Sequence, residues 1–230
     1  MKTLGLIGGM SWESTQTYYR LINEQVKEKL GGLHSAKLVL YSVDFAEIEA
    51  LQHKGEWDKA GEALAEAGKS LQAAGADSIV ICTNTMHKVA PEIEAQTTIP
   101  LLHIADATAL ELKRQGITKV GLLGTAFTME QAFYKDRLTE KHGIEVVIPN
   151  DAERKLVHDV IYEELCLGTI KPESKRAYLE IVDSLSANGA QGVILGCTEI
   201  GLLIQSQDTE VPLFDTTHIH ATEAVNWALS

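Results

Sequence analysis

One block of sequence occurs twice in this chain of 230 residues, and that recurrence narrows the fold more than any other feature. Residues 73–85 read AAGADSIVICTNT, and residues 186–199 read SANGAQGVILGCTE. From Gly75 and Gly189 onward the copies align residue for residue, so Thr83 stands opposite Cys197. Each copy runs from a glycine suited to stopping a helix, through a short apolar run, to polar residues. Two flanking blocks recur in the same order. LGLIGG at Leu4 to Gly9 matches VGLLGT at Val120 to Thr125, and TTIPLLHIADAT matches TEVPLFDTTHIHAT. Three matched blocks in one order imply a duplicated α/β fold. It has two similar domains, each a parallel sheet flanked by helices, related by internal duplication.

The alternation of runs gives the elements. Strands are expected at TLGLIG (3–8), LVLYSVD (38–44), SIVIC (78–82) and PLLHI (100–104), and again at KVGLLG (119–124), IEVVIP (144–149), GVILG (192–196) and PLFD (212–215). Helical patterns such as STQTYYRLINEQVKEKL and WDKAGEALAEAGKSLQAAG lie between them. The first domain is read as residues 1–98 plus about 211–230, and the second as 99–210, with the final helix HATEAVNWALS returning to the first. Ligands of open α/β sheets bind beyond the carboxyl ends of the strands. The active site is therefore expected in the cleft between the domains, with Thr83 and Cys197 approaching from opposite sides.

Composition removes other classes. The net charge is −12 and no block of Lys or Arg occurs, which argues against nucleic acid or an anionic membrane as partner. The N-terminus turns polar too soon for a signal peptide, and no run reaches the length of a membrane span. Three cysteines, Cys82, Cys166 and Cys197, suggest neither a disulfide framework nor zinc-site spacing. The expectation is a cytoplasmic protein, with a small-molecule ligand at the strand ends. GLIGG lacks the spacing of a dinucleotide fingerprint and has no P-loop lysine after it.

The strand ends suit proton transfer at carbon. Inverting a centre next to a carboxylate needs a base on one face and an acid on the other. A thiol, with a reference pKa of about 8.5, suits the first task, and a helix N-terminus lowers it further. Cys197 precedes a helix-like segment and is read as that base. Asn84, Thr85 and Thr198 add neutral donors, and Thr125 stands at a strand end whose following helix offers N–H groups to a carboxylate. Met10 and Ser11, just past the first strand, line the same place. Gln52 lies in DFAEIEALQHKG, which is read as a lid. Glu199 either orients the Cys197 region, meets a substrate ammonium or caps the next helix. His53, Lys54, His87 and Lys88 are the cationic candidates for an acidic side chain. His103, His218 and His220 lie at or just past the fourth strand of each half; His220 could tune the site, but isolated histidines are read as satisfied structural residues.

GLIGGMSWEST, CTNTMH, LGCTEIGLL and PLFDTTHIHA resemble the aspartate/glutamate racemase family of cofactor-independent amino-acid racemases, and the likeness covers the whole chain. The resemblance implies a homodimer acting on amino acids without pyridoxal phosphate or metal, and a two-base mechanism with a cysteine on each face. This chain departs from that pattern at one position. The family's first motif reads Cys-Asn-Thr; here Asn84, Thr85 and His87 match, and Thr83 replaces the cysteine. Cys82 does not substitute, because neighbouring strand residues point to opposite faces. By resemblance Cys197 serves the L-enantiomer and Thr83 the D-face. The alternatives are a broad-specificity amino-acid racemase, a decarboxylase with a single cysteine, and an amino-acid-binding protein of impaired catalysis.

Overall fold

The computed structural model describes all of residues 1–230. In chain order the elements are β1 Leu4–Gly8, α1 Trp12–Leu30, β2 Leu38–Ser42, α2 Phe45–Lys54, α3 Trp57–Ala73, β3 Ser78–Ile81, α4 Ala90–Gln96 and α5 Ile104–Arg114. There follow β4 Lys119–Gly124, α6 Ala126–Glu130, α7 Ala132–Asp136, β5 Glu145–Val147, α8 Asp151–Glu163, α9 Pro172–Ala187, β6 Val193–Gly196, α10 Ile200–Leu203, β7 Leu213–Asp215 and α11 Thr216–Leu229. The chain forms two compact units, Met1–Ile104 with Thr217–Ser230, and Ala105–Thr216.

Both units carry a parallel sheet, in the orders β2-β1-β3 and β5-β4-β6-β7. Their registers correspond: Gly5 faces Ile79 in one, and Gly121 faces Val193 in the other. Gly75 and Gly189, which end α3 and follow α9, both have φ of 90°. Asp77 accepts the Thr3 N–H at 2.6 Å, while Gln191 in the matching place accepts the Lys119 N–H at 3.0 Å. The expected strand at 100–104 is reduced to one bridge between Leu101 and Ile79, because α5 begins at Ile104 and pairing stops. Its counterpart β7 pairs fully with β6. Since Leu101 and Leu213 each stay with their own sheet, the chain changes unit at 104/105 and 216/217, later than sequence suggested.

The first sheet is covered on both faces, as parallel sheets usually are. Ile7, Ile79 and Ile81 pack with Leu64, Ala67 and Leu71 of α3 and Ile93 of α4. Leu6, Val80 and Cys82 pack on the other side with Tyr18 and Ile22 of α1 and Ala221 and Val225 of α11. Each fully buried large apolar side chain contributes roughly 1.5–3 kcal/mol. Gly9 carries the chain out of β1 at φ 91°, and a Cβ there would meet the Val43 carbonyl at 2.2 Å, so only glycine fits.

Candidate active site

In the first unit, β3 ends at Ile81 and the chain turns through Thr83 and Asn84 into a 3₁₀ turn, Thr85–Val89. Asn84 and Thr85 are buried and Thr83 is partly exposed. Met86 belongs to the apolar cluster that also contains Met10, and its sulfur accepts a bond from Gln52 Nε2 at 2.9 Å. Met10 is packed in the core, 4% exposed. Ser11 caps α1, its hydroxyl accepting the Ser14 N–H at 3.3 Å. Gln52 does not belong to a lid: Asp44 and a left-handed Gly55 cap its helix, and Ile48 and Gln52 are buried.

His87 is fixed at both ring nitrogens. Nδ1–H donates to the Thr83 carbonyl at 2.8 Å, and Nε2 accepts the Ile104 N–H at 3.2 Å. Its ring lies 4.6 Å from that of His103 and 5.6 Å from that of His220. His220 in turn donates from Nε2 to the Leu102 carbonyl at 2.6 Å and accepts the Tyr18 hydroxyl at Nδ1, 2.8 Å away. Burial, followed by the neighbouring rings, pushes His87 well below its ordinary pKa. Burial brings His220 down to about 4. Sequence reading treated His103 and His220 as isolated. Their one signal was position, at or just past the fourth strand segment of each repeat. No group of three or more His, Cys, Asp or Glu is disposed to hold a metal ion.

In the second unit Gly124 pairs with Gly196, so Thr125 and Cys197 follow directly from adjacent strand ends. Thr125 is buried and caps α6, accepting the Thr128 N–H at 3.4 Å. Cys197, Thr198 and Glu199 are each half-buried. The Cys197 thiol donates to Glu199 Oε2 at 3.0 Å. Glu199 makes no side-chain cap to α10, so of the three roles weighed for it the structure displays contact with the thiol. The expected lowering of the thiol pKa does not occur. Burial first, then the Glu199 charge and bond, push it well above its ordinary value. The helix that was to lower it has four residues and starts three residues beyond the sulfur, too short and too far to compete.

Other candidates separate cleanly. Cys82 lies in the apolar cluster on the α1 side of the sheet, away from Ile81, with its thiol pushed up by burial. Lys88 places its ammonium 3.8 Å from the Trp57 ring centroid. His53 is exposed and pairs with Glu49 at 2.6 Å.

The model of the Asp/Glu/Hydantoin racemase family matches residues 7–224. A Yersinia pestis structure of a candidate Asp/Glu racemase is 63% identical over the full length of both chains, with a TM-score of 0.96. An aspartate racemase homologue from Pyrococcus horikoshii is 37% identical, again over 100% of both, with a TM-score of 0.88. The broad specificity amino-acid racemase RacX of Bacillus subtilis is 23% identical over 99% of this chain and 98% of its own. The chain belongs to the Asp/Glu/Hydantoin racemase family of isomerases. No helix is long and apolar enough to cross a membrane.

Proposed function

We propose that the chain is an amino-acid racemase working without pyridoxal phosphate or metal, in which Cys197 removes the α-proton of the L-enantiomer and Thr83 serves the opposite face. The observation that carries this reading is the matched placement of Thr83 and Cys197 beyond register-equivalent strands, with Cys197 half-buried and its thiol bonded to a carboxylate. Cys82, buried in the core, has neither property.

At rest Cys197 keeps its proton. To act as a base it needs a positive charge close by, and the substrate's own α-ammonium supplies one while satisfying Glu199. The carbanion is an enediolate, and Asn84, Thr85, Thr125 and Thr198 are the neutral donors that hold its oxygens. Thr83 donates or relays a proton to the far face, but a hydroxyl is too weak an acid to rest there as an alkoxide near neutral pH. Enantiomers have equal free energy in water, so kcat/KM must be the same in both directions. A weak acid on the Thr83 face therefore slows both, while Cys197 alone still exchanges the L α-proton with retention.

Aspartate and glutamate are the first substrates of this reading, supported by the 37% identity to an aspartate racemase homologue. Broad specificity is the second. The side chains of Lys88 and His53 are already engaged by Trp57 and Glu49, and His87 is bonded at both nitrogens, so an acidic side chain gains little from them. The same reading makes the protein a cytoplasmic homodimer; sedimentation as a monomer would contradict that part. Chiral chromatography of each enantiomer incubated with protein tests the activity. The opposite enantiomer should accumulate slowly from both sides with wild type and not with Cys197→Ser. Equal turnover by Cys197→Ser would end the proposal.

A further inference from the structure

The turn that carries Thr83 has no titratable side chain of its own until His87, and His87 does not face a solvent-filled space. It is 2% exposed and bonded along the backbone at both ends. The two bonds fix a single proton position: a carbonyl can only accept, so Nδ1 carries the proton, and a peptide N–H can only donate, so Nε2 is bare. His220 shows the reverse arrangement, with Nε2–H on the Leu102 carbonyl and Nδ1 receiving the Tyr18 hydroxyl. Two neutral rings of opposite tautomer therefore hold the backbone at Leu102 and Ile104 and connect it, through His87, to the carbonyl of Thr83. His103 packs against His87 at 4.6 Å between ring centres. Ile104 is also the last residue before the chain leaves the first unit.

We propose that His87 is a positioning residue for proton transfer on the Thr83 face: its Nδ1–H, held in place by the Ile104 amide, anchors the Thr83 carbonyl and so aims the Thr83 side chain. The inference rests on the racemase reading for its consequence, although not for its geometry. His87 itself exchanges no proton with substrate. Protonation would convert Nε2 from acceptor to donor and set it against the Ile104 N–H. The groups facing the ring are His103 and His220, with Tyr18 behind His220; none is an anion that would favour the charged form. The latch thus holds the neutral form through the ordinary histidine range.

Two measurements test this. The first is a long-range nitrogen–proton correlation spectrum of the histidine rings in ¹⁵N-labelled protein, assigned with His87→Asn. His87 should appear as the Nδ1–H tautomer and His220 as Nε2–H, both unchanged between pH 8 and 6. An Nε2–H tautomer for His87, or a ring titrating like an exposed histidine, overturns the latch whatever the protein's activity. The second follows wash-out of the L α-proton and formation of D product together in deuterium oxide. In His87→Leu the ratio of inversion to wash-out should fall at least about fivefold, because only the Thr83 face is misaligned. His87→Asn, whose amide can still donate to the Thr83 carbonyl, should recover most of it. If inversion and wash-out fall together, or if Asn is no better than Leu, His87 is merely structural and the proposal fails. Absence of all α-proton exchange in the wild type would instead overturn the racemase reading, leaving the tautomer result to decide the latch.

Discussion

At Thr83 and Cys197 the same backbone position carries a hydroxyl in one repeat and a thiol in the other, and proton chemistry divides on that difference. A thiol titrates within reach of neutrality when a cation approaches, and a hydroxyl does not. Cys197→Ser should therefore lower exchange of the L α-proton by a factor on the order of a thousand, read by proton NMR in deuterium oxide. Glu199→Gln removes the carboxylate that holds the Cys197 proton in place. Its thiol should be alkylated by iodoacetamide several-fold faster at pH 8, with the midpoint of the rate profile moved to lower pH. An unchanged profile would mean that burial alone sets the thiol. The equivalence of these two positions was legible because the repeat aligns without a gap through them. The protonation state of Cys197 was not. It depends first on burial and then on a carboxylate two residues away, and neither the burial of the sulfur nor the rotamer of Glu199 is written in the spacing.

Elements were legible where periodicity and stop signals agree, and less so where a single contact decides. α2 reads as a lid from its position and Gly55, but Ile48 and Gln52 turn it inward. The strand at 100–104 has the right residues and loses its pairing to the early start of α5. The β1–α1 connection depends on Gly9. Gly9→Ala should cost about 3 kcal/mol or more in urea unfolding, because positive φ and the Val43 carbonyl both oppose a side chain. In the second unit Asp106, in the first turn of α5, accepts bonds from Arg137, Lys141 and His142 between 2.7 and 2.9 Å. Burial pushes its carboxyl up, but the hydrogen bonds from Arg137, Lys141 and His142, with the Arg137 charge, outweigh burial and hold it well below the ordinary 3.8. This stability is present above pH 3.8 and is lost as pH falls further. Asp106→Asn should lower unfolding free energy by roughly 2–3 kcal/mol near neutral pH, since Arg137 and Lys141 lose their anion and His142 its acceptor.

Over the whole molecule, the duplicated sheet and the family were readable because both follow from residues at strand ends, which the repeat locates. The histidine cluster was not, because His87, His103 and His220 are distant in sequence and meet only once α11 has returned to the first unit. That cluster gives the fold an acid sensitivity of definite sign. The unfolded chain takes up protons at His220 near 6.5 and the folded chain only near 4, so stability is full above 6.5 and falls as pH drops toward 4. Between pH 7 and 5 the loss from His220 alone is about 2 kcal/mol, measurable by urea titration, and His220→Phe should flatten the slope. The chemistry itself is tested most directly by proton NMR of separate L- and D-aspartate and glutamate samples in deuterium oxide, with wild type, Cys197→Ser and Thr83→Cys. The account predicts that wild type removes the L α-proton faster than D product appears, that Cys197→Ser does neither, and that Thr83→Cys brings inversion up to the rate of wash-out. Balanced, rapid inversion by wild type from both enantiomers, unimproved by Thr83→Cys, would contradict it.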